Sequence, residues 1–446
     1  MRNSFTLLLL SFTIAVLPEA SFASSADGGD SPQATQSSTQ APQTLTLQDA
    51  LVLARKNSVD FQAALTDQGV AHQDKVQTRA ALLPNVSYNN QYLYTQGTGT
   101  ATPRFIANNG VHEYISQGNV HEALAYSGVS DYRRSGALEA VARAKAEIAA
   151  RGLVVTVVQA YYGLLAAQRK YATNQAAAAE SERFLKISQQ LETGGEVAHS
   201  DVIKAQIQYQ GSQRDLREAE LTMNKSRLDL AVLLFPNFNE NFTVVDDLDL
   251  APPLPSFDEF VKAAQVKNPE LRASTASLQA ARFEVSSARA AYFPNITLDY
   301  WYGIDATHFA VNTNGISNLG SSASATVNIP IWNWGATRSK VIQADLKRKQ
   351  SERELSLAQR KLLAAIRNSF AEAQASLSEL DLLKSSADLA AESLKLTTLR
   401  YQGGEATVLE VVDAQNTLNQ SRNAYSDGVV RYRAALAGLQ TLTGTM

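Results

Sequence analysis

The amino-acid sequence predicts a mainly α-helical chain that carries four β-strands and consists of two copies of one structural unit. Three observations predict this architecture. Short sequence matches recur at a nearly constant offset, two segments alternate apolar and polar residues with the period of a strand, and very long helical stretches follow each of them. The 446 residues are 45% hydrophobic and 19% charged, so there is ample apolar material for a core.

The first 23 residues have the features of a signal peptide. Arg2 is the basic flank, residues 6–17 form a short apolar run, and Ser21-Phe22-Ala23 is a small-x-small cleavage site. The run is shorter than the ~20 residues that a transmembrane helix needs. No later stretch approaches 18 uninterrupted apolar residues, so we expect no transmembrane helix in the exported chain. Residues 24–43 contain almost nothing apolar larger than alanine and are predicted to be disordered.

Composition and spacing exclude several classes of protein. The chain has no cysteine, so after export it has no disulfides and no cysteine for a lipid anchor. The formal net charge of −3 argues against a polybasic nucleic-acid binder. The five histidines are scattered without the spacing of a metal site, and no nucleophile–base pattern accompanies them. We therefore expect no metal, no cofactor and no enzymatic activity.

The chain is internally duplicated. Residues 78–88 (TRAALLPNVSY) recur as residues 288–298 (ARAAYFPNITL), and the later matches keep almost the same offset. We predict a first repeat over residues 44–240, a linker over 241–256 and a second repeat over 257–446. The positions that recur include Arg79, Pro84 and Asn85 as Arg289, Pro294 and Asn295; Gly194, Gly195 and Glu196 as Gly403, Gly404 and Glu405; and Lys56 and Asn57 as Lys267 and Asn268.

Each repeat opens with a predicted helix, over residues 47–82 and 257–292, which a proline ends. A strand-like alternation follows, and a returning strand pairs with it around residues 120–126 and 323–331. Polar loops over 97–118 and 306–320 connect the two strands. The opposite strand faces are polar at Asn85, Ser87 and Gln91 and at Thr297, Asp299 and Asp305. The residues predicted to face lipid are Val86, Tyr88, Tyr92 and Tyr94, with Ile296, Leu298, Tyr300 and Tyr302.

The strands are about 10 residues long, which suits a tilted membrane strand. A soluble hairpin that packs on the helices is the alternative. After each hairpin comes a long helix, predicted over 137–191 and 337–400, then a Gly-Gly turn and a last helix over 198–234 and 406–442. A helix of about 60 residues is about 90 Å long, which suits a rod, a tube or a coiled-coil assembly.

Four membrane strands cannot close a barrel within one chain, because open strand edges in lipid leave backbone groups unpaired. Closure must then be intermolecular. Two chains would give eight strands with a filled interior, and three would give twelve strands with a lumen. The polar strand faces suit a water-filled lumen, so we favour three chains, with the long helices continuing the pore as a tube.

The sequence resembles the TolC family of trimeric outer-membrane efflux proteins. The resemblance covers residues 45–442 and rests on LTLQDALVLARKNS at 45–58, IPIWNWGATRSKV at 329–341 and RYQGGEATVLEVVDAQNTLNQSR at 400–422. It implies a homotrimer with a twelve-stranded β-barrel in the outer-membrane lipid and a periplasmic α-helical tunnel. It also implies that a periplasmic adaptor and an inner-membrane pump dock at the helical tips, which are Gly194, Gly195 and Glu196 together with Gly403, Gly404 and Glu405.

The resemblance further implies a closed constriction near the second tip. Glu410 and Asp413 match the carboxylate pair that lines it, and Asp201 is the first-repeat counterpart of Glu410. Tyr401 matches a tyrosine that holds the closed tip, whereas the basic residue expected near Ala406 is absent. Because Glu410 and Asp413 lie on one helix face, a solvated charged face is the alternative interpretation. In a trimer the pair would form a ring that favours cations.

These predictions together describe an outer-membrane exit duct of a tripartite export system. The duct would be a passive conduit whose helical part lies in the periplasm. A periplasmic coiled-coil structural or adhesion protein without a pore is the alternative function. The sequence leaves the cargo open among drugs, proteins and metals.

Overall fold

The computed structural model of the protein describes residues 43–94, 112–237, 241–248, 252–312 and 314–444. The predicted signal peptide and residues 24–42 lie outside the described residues, as do residues 95–111, which include part of the first predicted loop. The described elements follow the same order in both repeats. The first repeat contains β1 Gln43–Leu45, α1 Leu47–Asn57, α2 Val59–Ala80, β2 Asn85–Tyr94, β3 His112–Leu124, α3 Tyr126–Thr193 and α4 His199–Leu234. The second contains β4 Phe242–Val244, α5 Phe257–Lys267, α6 Pro269–Ala290, β5 Asn295–Ala306, β6 Leu319–Asn328, α7 Ala336–Gln402 and α8 Val408–Thr443.

Each repeat opens with two helices rather than the single predicted one. Ser58 and Asn268 interrupt the helical backbone, and their side chains accept hydrogen bonds from the first turn of α2 and α6. The recurring asparagines also fix the ends of distant helices. Asn57 Nδ2 donates to the Leu234 carbonyl at 2.5 Å, and Asn268 Nδ2 donates to the Leu442 carbonyl at 3.0 Å. In each repeat an asparagine therefore ties the opening helices to the end of the last helix.

A short parallel pair joins the starts of the two repeats. β1 pairs with β4, which lies inside the segment predicted as a linker. The hydroxyl of buried Tyr161 donates to the carbonyls of Leu45 and Val245, at 3.2 and 2.8 Å. Burial raises the pKa of Tyr161 to about 12, so this hydroxyl keeps its proton at neutral pH. The pair of strands and α3 thus share one core.

The long helices pack as antiparallel hairpins, α3 on α4 and α7 on α8, while α2 packs on α3 and α6 packs on both α3 and α7. The main apolar core lies part of the way along them and includes Val157, Leu230, Ile366 and Leu436. Within the described residues, α3 has the length and apolar composition of a membrane span, contrary to our expectation of none. Its apolar middle belongs to this core, which explains the composition without a membrane.

The four longer strands form one antiparallel sheet in the order β2-β3-β5-β6. Central β3 and β5 pair with each other, so the sheet joins the two repeats edge to edge. Gly303 lies in this seam, where a Cβ atom would come within 2.2 Å of the Ser116 carbonyl oxygen. Only glycine fits this close approach between backbones.

Three predicted boundaries near the strands were wrong. β3 begins at His112, inside the predicted loop, and α3 begins at Tyr126 rather than at residue 137. β6 ends at Asn328, so Ile329 and Ile331 follow the strand. The early start of α3 has a tertiary cause. Its first turns pack on α2, where Thr78 Oγ1 lies 2.6 Å from Ser135 Oγ. Farther along α3, buried Glu139 accepts hydrogen bonds from Lys75 and His72 of α2 at 2.8 Å each, and these bonds lower its pKa to about 2.

The residues predicted to face lipid share one face of the sheet. The register places Val86 beside Val120, and Val120 beside Tyr300, so apolar side chains form rows across the strands. All eight are exposed in the single chain. Asn90 lies on the same face and accepts a hydrogen bond from Ser116 Oγ at 2.7 Å, a polar exception that the alternation does not indicate. On the opposite face His121 and Asp299 contact each other at 2.7 Å across the repeat seam.

Candidate functional site at the two helical tips

The two helical tips have the same backbone structure. We call residues 190–204 the first tip and residues 399–413 the second tip. Gly195 and Gly404 adopt left-handed φ values of 77° and 76°. The amides of Gly195 and Glu196 donate to the carbonyls of Glu192 and Leu191, and Gly404 and Glu405 donate in the same way to Tyr401 and Arg400. This pairing is a Schellman motif, which ends a helix and reverses the chain.

The predicted docking residues are accessible in both tips. Each Gly-Gly turn and the glutamate after it are exposed in the chain: Gly194, Gly195 and Glu196, and Gly403, Gly404 and Glu405. Glycines without side chains leave the backbone itself as the accessible surface. The structure therefore brings these residues together as two small protrusions at the ends of the hairpins.

Tyr401 anchors the second tip to the first hairpin. Its side chain is buried, and its ring lies 5.0 Å from the ring of Phe184 on α3. Its hydroxyl donates to Ser188 Oγ, also on α3, at 3.2 Å. A small apolar core surrounds this contact and includes Val408 and Val411 of α8. The side chain predicted to hold the tip thus forms a contact within one chain.

Glu410 is part of a helix cap. Its Oε1 accepts hydrogen bonds from the Thr407 amide and hydroxyl, both at 3.1 Å, while Thr407 Oγ1 accepts from the Glu410 amide. This reciprocal arrangement is a capping box at the start of α8. Arg400 lies 3.5 Å from the other carboxylate oxygen and also donates to the Glu405 carbonyl. The hydrogen bonds from Thr407 and then the Arg400 charge lower the pKa of Glu410.

Asp413 differs from Glu410 in its contacts, although both side chains are exposed. No ion pair or hydrogen bond of its carboxylate is found within the described part of the chain. The two carboxylates that the sequence predicts as a pair therefore differ in their contacts. One is held in the tip by Thr407 and Arg400, and the other is available to solvent.

The first tip uses different side chains at the matching positions. Glu192 takes the place of Tyr401 and contacts His199 at 2.7 Å. Asp201 takes the place of Glu410 but lies 3.1 Å from Lys204, which takes the place of Asp413. Ala198 begins α4 without a side-chain hydrogen bond. Asp201 is thus neutralised locally, and the first tip has ion pairs at its surface in place of a buried anchor.

Above the second tip, the contact between the hairpins becomes polar. Gln208 donates to Asn416 at 3.1 Å, and Asn419 donates to Asn174 at 3.2 Å. Gln208, Asn416 and Asn419 border a groove of about 470 Å³ that residues of α3, α4, α7 and α8 line. Gln415 is buried there, and neither side-chain atom of its amide has a hydrogen-bond partner within the described residues. The hairpins are therefore joined by apolar packing at the tip and by amides above it.

Sequence reasoning missed four residues that shape the second tip: Phe184, Ser188, Arg400 and Thr407. The Thr-x-x-Glu spacing of 407–410 is a capping-box signature, so this signal was present. Phe184 and Ser188 are more than 200 residues from Tyr401, and no local pattern links them.

Comparisons with known proteins agree with this architecture. A family model described as "Outer membrane efflux protein" matches residues 260–445, most of the second repeat. The outer membrane protein TolC of Vibrio cholerae is 24% identical over 399 residues, with 88% of this chain and 89% of that protein covered. The alkaline protease secretion protein AprF of Pseudomonas aeruginosa is 24% identical over 416 residues, covering 90% and 85%.

A solved structure shares the fold. The outer membrane channel CmeC of Campylobacter jejuni superimposes with a TM-score of 0.77 at 16% identity, covering 89% of this chain and 85% of that one. The duplicated long helical hairpins and the open sheet of four longer strands are thus a fold that this chain shares with CmeC. In sequence the chain resembles the TolC-like outer-membrane efflux proteins, and it shares the fold of a solved outer-membrane channel.

Proposed function

We propose that this chain is the outer-membrane exit duct of a tripartite export system. It works as a homotrimer whose sheets close one twelve-stranded barrel and whose hairpins form a periplasmic tunnel. A periplasmic adaptor and an inner-membrane pump dock at the exposed tips, and cargo passes without chemical change. Relatives named for protease secretion and for outer-membrane channels support this role. They also favour it over the alternative of a periplasmic coiled-coil protein without a pore.

The observation that carries the proposal is the open, exposed sheet. β2 pairs only with β3, and β6 pairs only with β5, within the described residues. Each outer edge therefore has backbone groups without a partner, which cost several kcal/mol each in lipid. The strands alternate in direction, so β6 of one copy can pair antiparallel with β2 of the next. Three copies extend this pattern into a closed ring with a lumen.

Engineered cysteines test the assembly, since the chain has none of its own. Ser87→Cys on β2 is combined in turn with Ser322→Cys, Ser324→Cys or Thr326→Cys on β6. We expect one combination to give disulfide-linked dimers and trimers on a non-reducing gel, and each single variant to give dimers at most. Links that stop at two copies, or extend beyond three, would contradict the trimer.

Outer-membrane fractionation and conductance in planar bilayers test the pore. The purified protein should fractionate with the outer membrane and conduct ions in steps of one size. A protein that inserts in neither setting would exclude the exit duct and favour the coiled-coil alternative.

We also propose that Asp413 forms the charged ring of the closed constriction and that Glu410 shapes the tip behind it. Three copies of an unpaired carboxylate around one axis favour cations. Glu410 and Asp201 are already neutralised by Arg400 and Lys204. This explains why we assign the ring to one carboxylate of the predicted pair.

Substitutions separate these roles. Replacing Glu410 and Asp413 together by alanine should raise the resting conductance, whereas Asp413→Asn alone should reduce cation selectivity. Asp388→Asn removes an exposed carboxylate higher on α7 and is the matched control. Equal effects of Asp413→Asn and Asp388→Asn on selectivity would remove Asp413 from the constriction.

A further inference from the structure

The end of the sheet that meets the helices carries exposed aromatic side chains. Because the four strands alternate in direction, all four strand–helix junctions lie at this end. The side chains of Trp332 and Trp334 are 76% and 89% exposed, and their rings meet edge to face at 5.8 Å. The other exposed apolar residues at the junctions are Leu83, Tyr126, Tyr292, Phe293, Ile329 and Ile331. A folded chain in water gains nothing from exposing so many large rings at one level.

The backbone that positions the tryptophans adopts an unfavourable conformation. Trp334 has a φ of 55°, the left-handed conformation that non-glycine residues rarely adopt, and Gly335 follows with a φ of 84°. The Asn333 side chain donates to the Thr337 hydroxyl and closes the turn. Strain of this kind persists where the surrounding structure fixes it, and it occurs often at functional positions.

Basic side chains accompany the aromatic residues. Arg79 and Arg289 occupy matching positions near the ends of α2 and α6, and Arg133, Arg338 and Lys340 lie near the starts of α3 and α7. All five are exposed and have no ion pair within the described residues. At 1.5 Å per helical residue, each lies within about 10 Å of its junction. We call these five residues, together with Trp332 and Trp334, the junction collar.

We propose that the junction collar binds phospholipids of the periplasmic leaflet, an inference that rests on the proposed membrane position of the sheet. The two indole rings lie at the level of the lipid carbonyl and glycerol groups, where amphipathic rings are favoured. The basic residues, on the helical side, contact the lipid phosphates. The exposed apolar face of the strands continues directly above, toward the acyl chains. The collar thereby fixes the depth of the barrel, and only the second repeat supplies its tryptophans.

The three tryptophans of the chain allow a direct test in proteoliposomes. Trp301 pairs with Asn119 and Ser322 on the polar face of the sheet, away from lipid. In a Trp301→Phe variant, we expect lipids brominated near the headgroup to reduce the fluorescence more than lipids brominated near the chain ends. The matched control, with Trp332→Phe and Trp334→Phe, retains Trp301 and should lose no more fluorescence than in unbrominated lipid.

A second measurement tests the basic half of the collar. Brominated phosphatidylglycerol, diluted into phosphatidylcholine, reports how strongly anionic lipid gathers beside Trp332 and Trp334. Each basic residue near a surface contributes a factor of about five to this preference. Arg338→Gln should therefore lower the preference about fivefold relative to the unsubstituted collar. Arg353→Gln, on the same helix but farther from the membrane, is the control and should leave it unchanged.

The possible outcomes separate this inference from the proposed function. If the protein conducts ions but brominated lipids do not quench Trp332 and Trp334, the proposed lipid binding by the collar is wrong, whereas the proposed duct is unaffected. Quenching without any preference for phosphatidylglycerol would overturn the assignment of the basic residues. A protein that never enters the vesicles would contradict the duct itself.

Discussion

The tips of the first and second hairpins have the same backbone conformation, but different side chains fix them in place. Both reverse the chain with a Schellman motif at a left-handed glycine. At the surface of the first tip, Glu192 contacts His199 and Asp201 forms an ion pair with Lys204. The second has a buried tyrosine that contacts the neighbouring hairpin, and a capped helix. Duplication thus preserved the turn, while the residues that fix its position diverged.

This difference assigns different tasks to the tips. A tip held by exposed ion pairs gains little stability from them, because solvent screens the charges. A tip held by a buried aromatic ring resists displacement much more strongly. The second tip also carries Asp413, the exposed carboxylate without a partner. We therefore expect the second tip to control the constriction, and its anchor to set how easily it moves.

The largest effect should come from removing the anchor. Tyr401→Ala deletes a buried ring and should destabilise the second tip by about 3–5 kcal/mol, as for other large-to-small core changes. Its repeat counterpart Glu192→Ala should have a small effect, since it breaks one exposed ion pair. Hydrogen exchange of the amides at 402–412 and 193–203 measures both. Similar protection losses at the two tips would contradict the comparison.

Tyr401→Phe is the control for this experiment, because it keeps the ring and removes only the hydrogen bond to Ser188. We expect a loss of about 1 kcal/mol. A loss as large as that of the alanine variant would mean that the hydroxyl, and not the ring, holds the tip.

A smaller effect should follow from exchanging the helix caps. Thr407→Ala should destabilise the start of α8 by about 1 kcal/mol, because it removes the capping box. The reverse change, Ala198→Thr, should stabilise the start of α4 by a similar amount. The backbone of Ala198 already has the extended conformation of a cap, with Asp201 three residues later. Exchange rates in the first turn of each helix test both changes. No gain for Ala198→Thr would show that the first tip cannot accept the cap.

The smallest expected effect depends on pH. The pKa of Glu410 is lowered from its ordinary value of 4.5, chiefly by the Thr407 hydrogen bonds. Its contribution to stability is therefore complete above pH 4.5 and is lost as the pH falls through the lowered value. After correction for intrinsic exchange rates, the first turn of α8 should lose protection in acid. Thr407→Ala keeps the backbone amide at position 407 and removes only the hydroxyl donor, so it should reduce this dependence in part. An unchanged acid response would implicate other groups.

The parts of the fold that are periodic could be predicted from the sequence. The recurring Pro-Asn starts located two strands, and the alternation placed Val86 and Tyr300 on one face, as the register confirms. The Gly-Gly turns located both tips. Tertiary contacts decided the rest. Residues 127–136, with Gly128 and several polar residues, resemble a loop locally, but packing on α2 makes them helical.

The candidate site was predictable only where its signal was local. The positions of Tyr401 and Glu410 follow from the resemblance, and the capping box follows from a four-residue pattern. The burial of Tyr401 against Phe184 and the isolation of Asp413 depend on how distant segments pack. β1 and β4 have three residues each and become strands only through each other.

The parallel pair of β1 and β4 also bears on how the chain folds. Its partners are separated by about 200 residues, and a similar distance separates β3 from β5 in the longer sheet. Contacts between such distant segments form slowly, because the entropy of closing the intervening chain is lost before they stabilise it. During synthesis and export, the strand edge of the first repeat therefore stays unpaired until the second repeat has been made and has folded against it. Such an edge is a target for aggregation, so the first repeat alone should depend on chaperones until its sister copy is present.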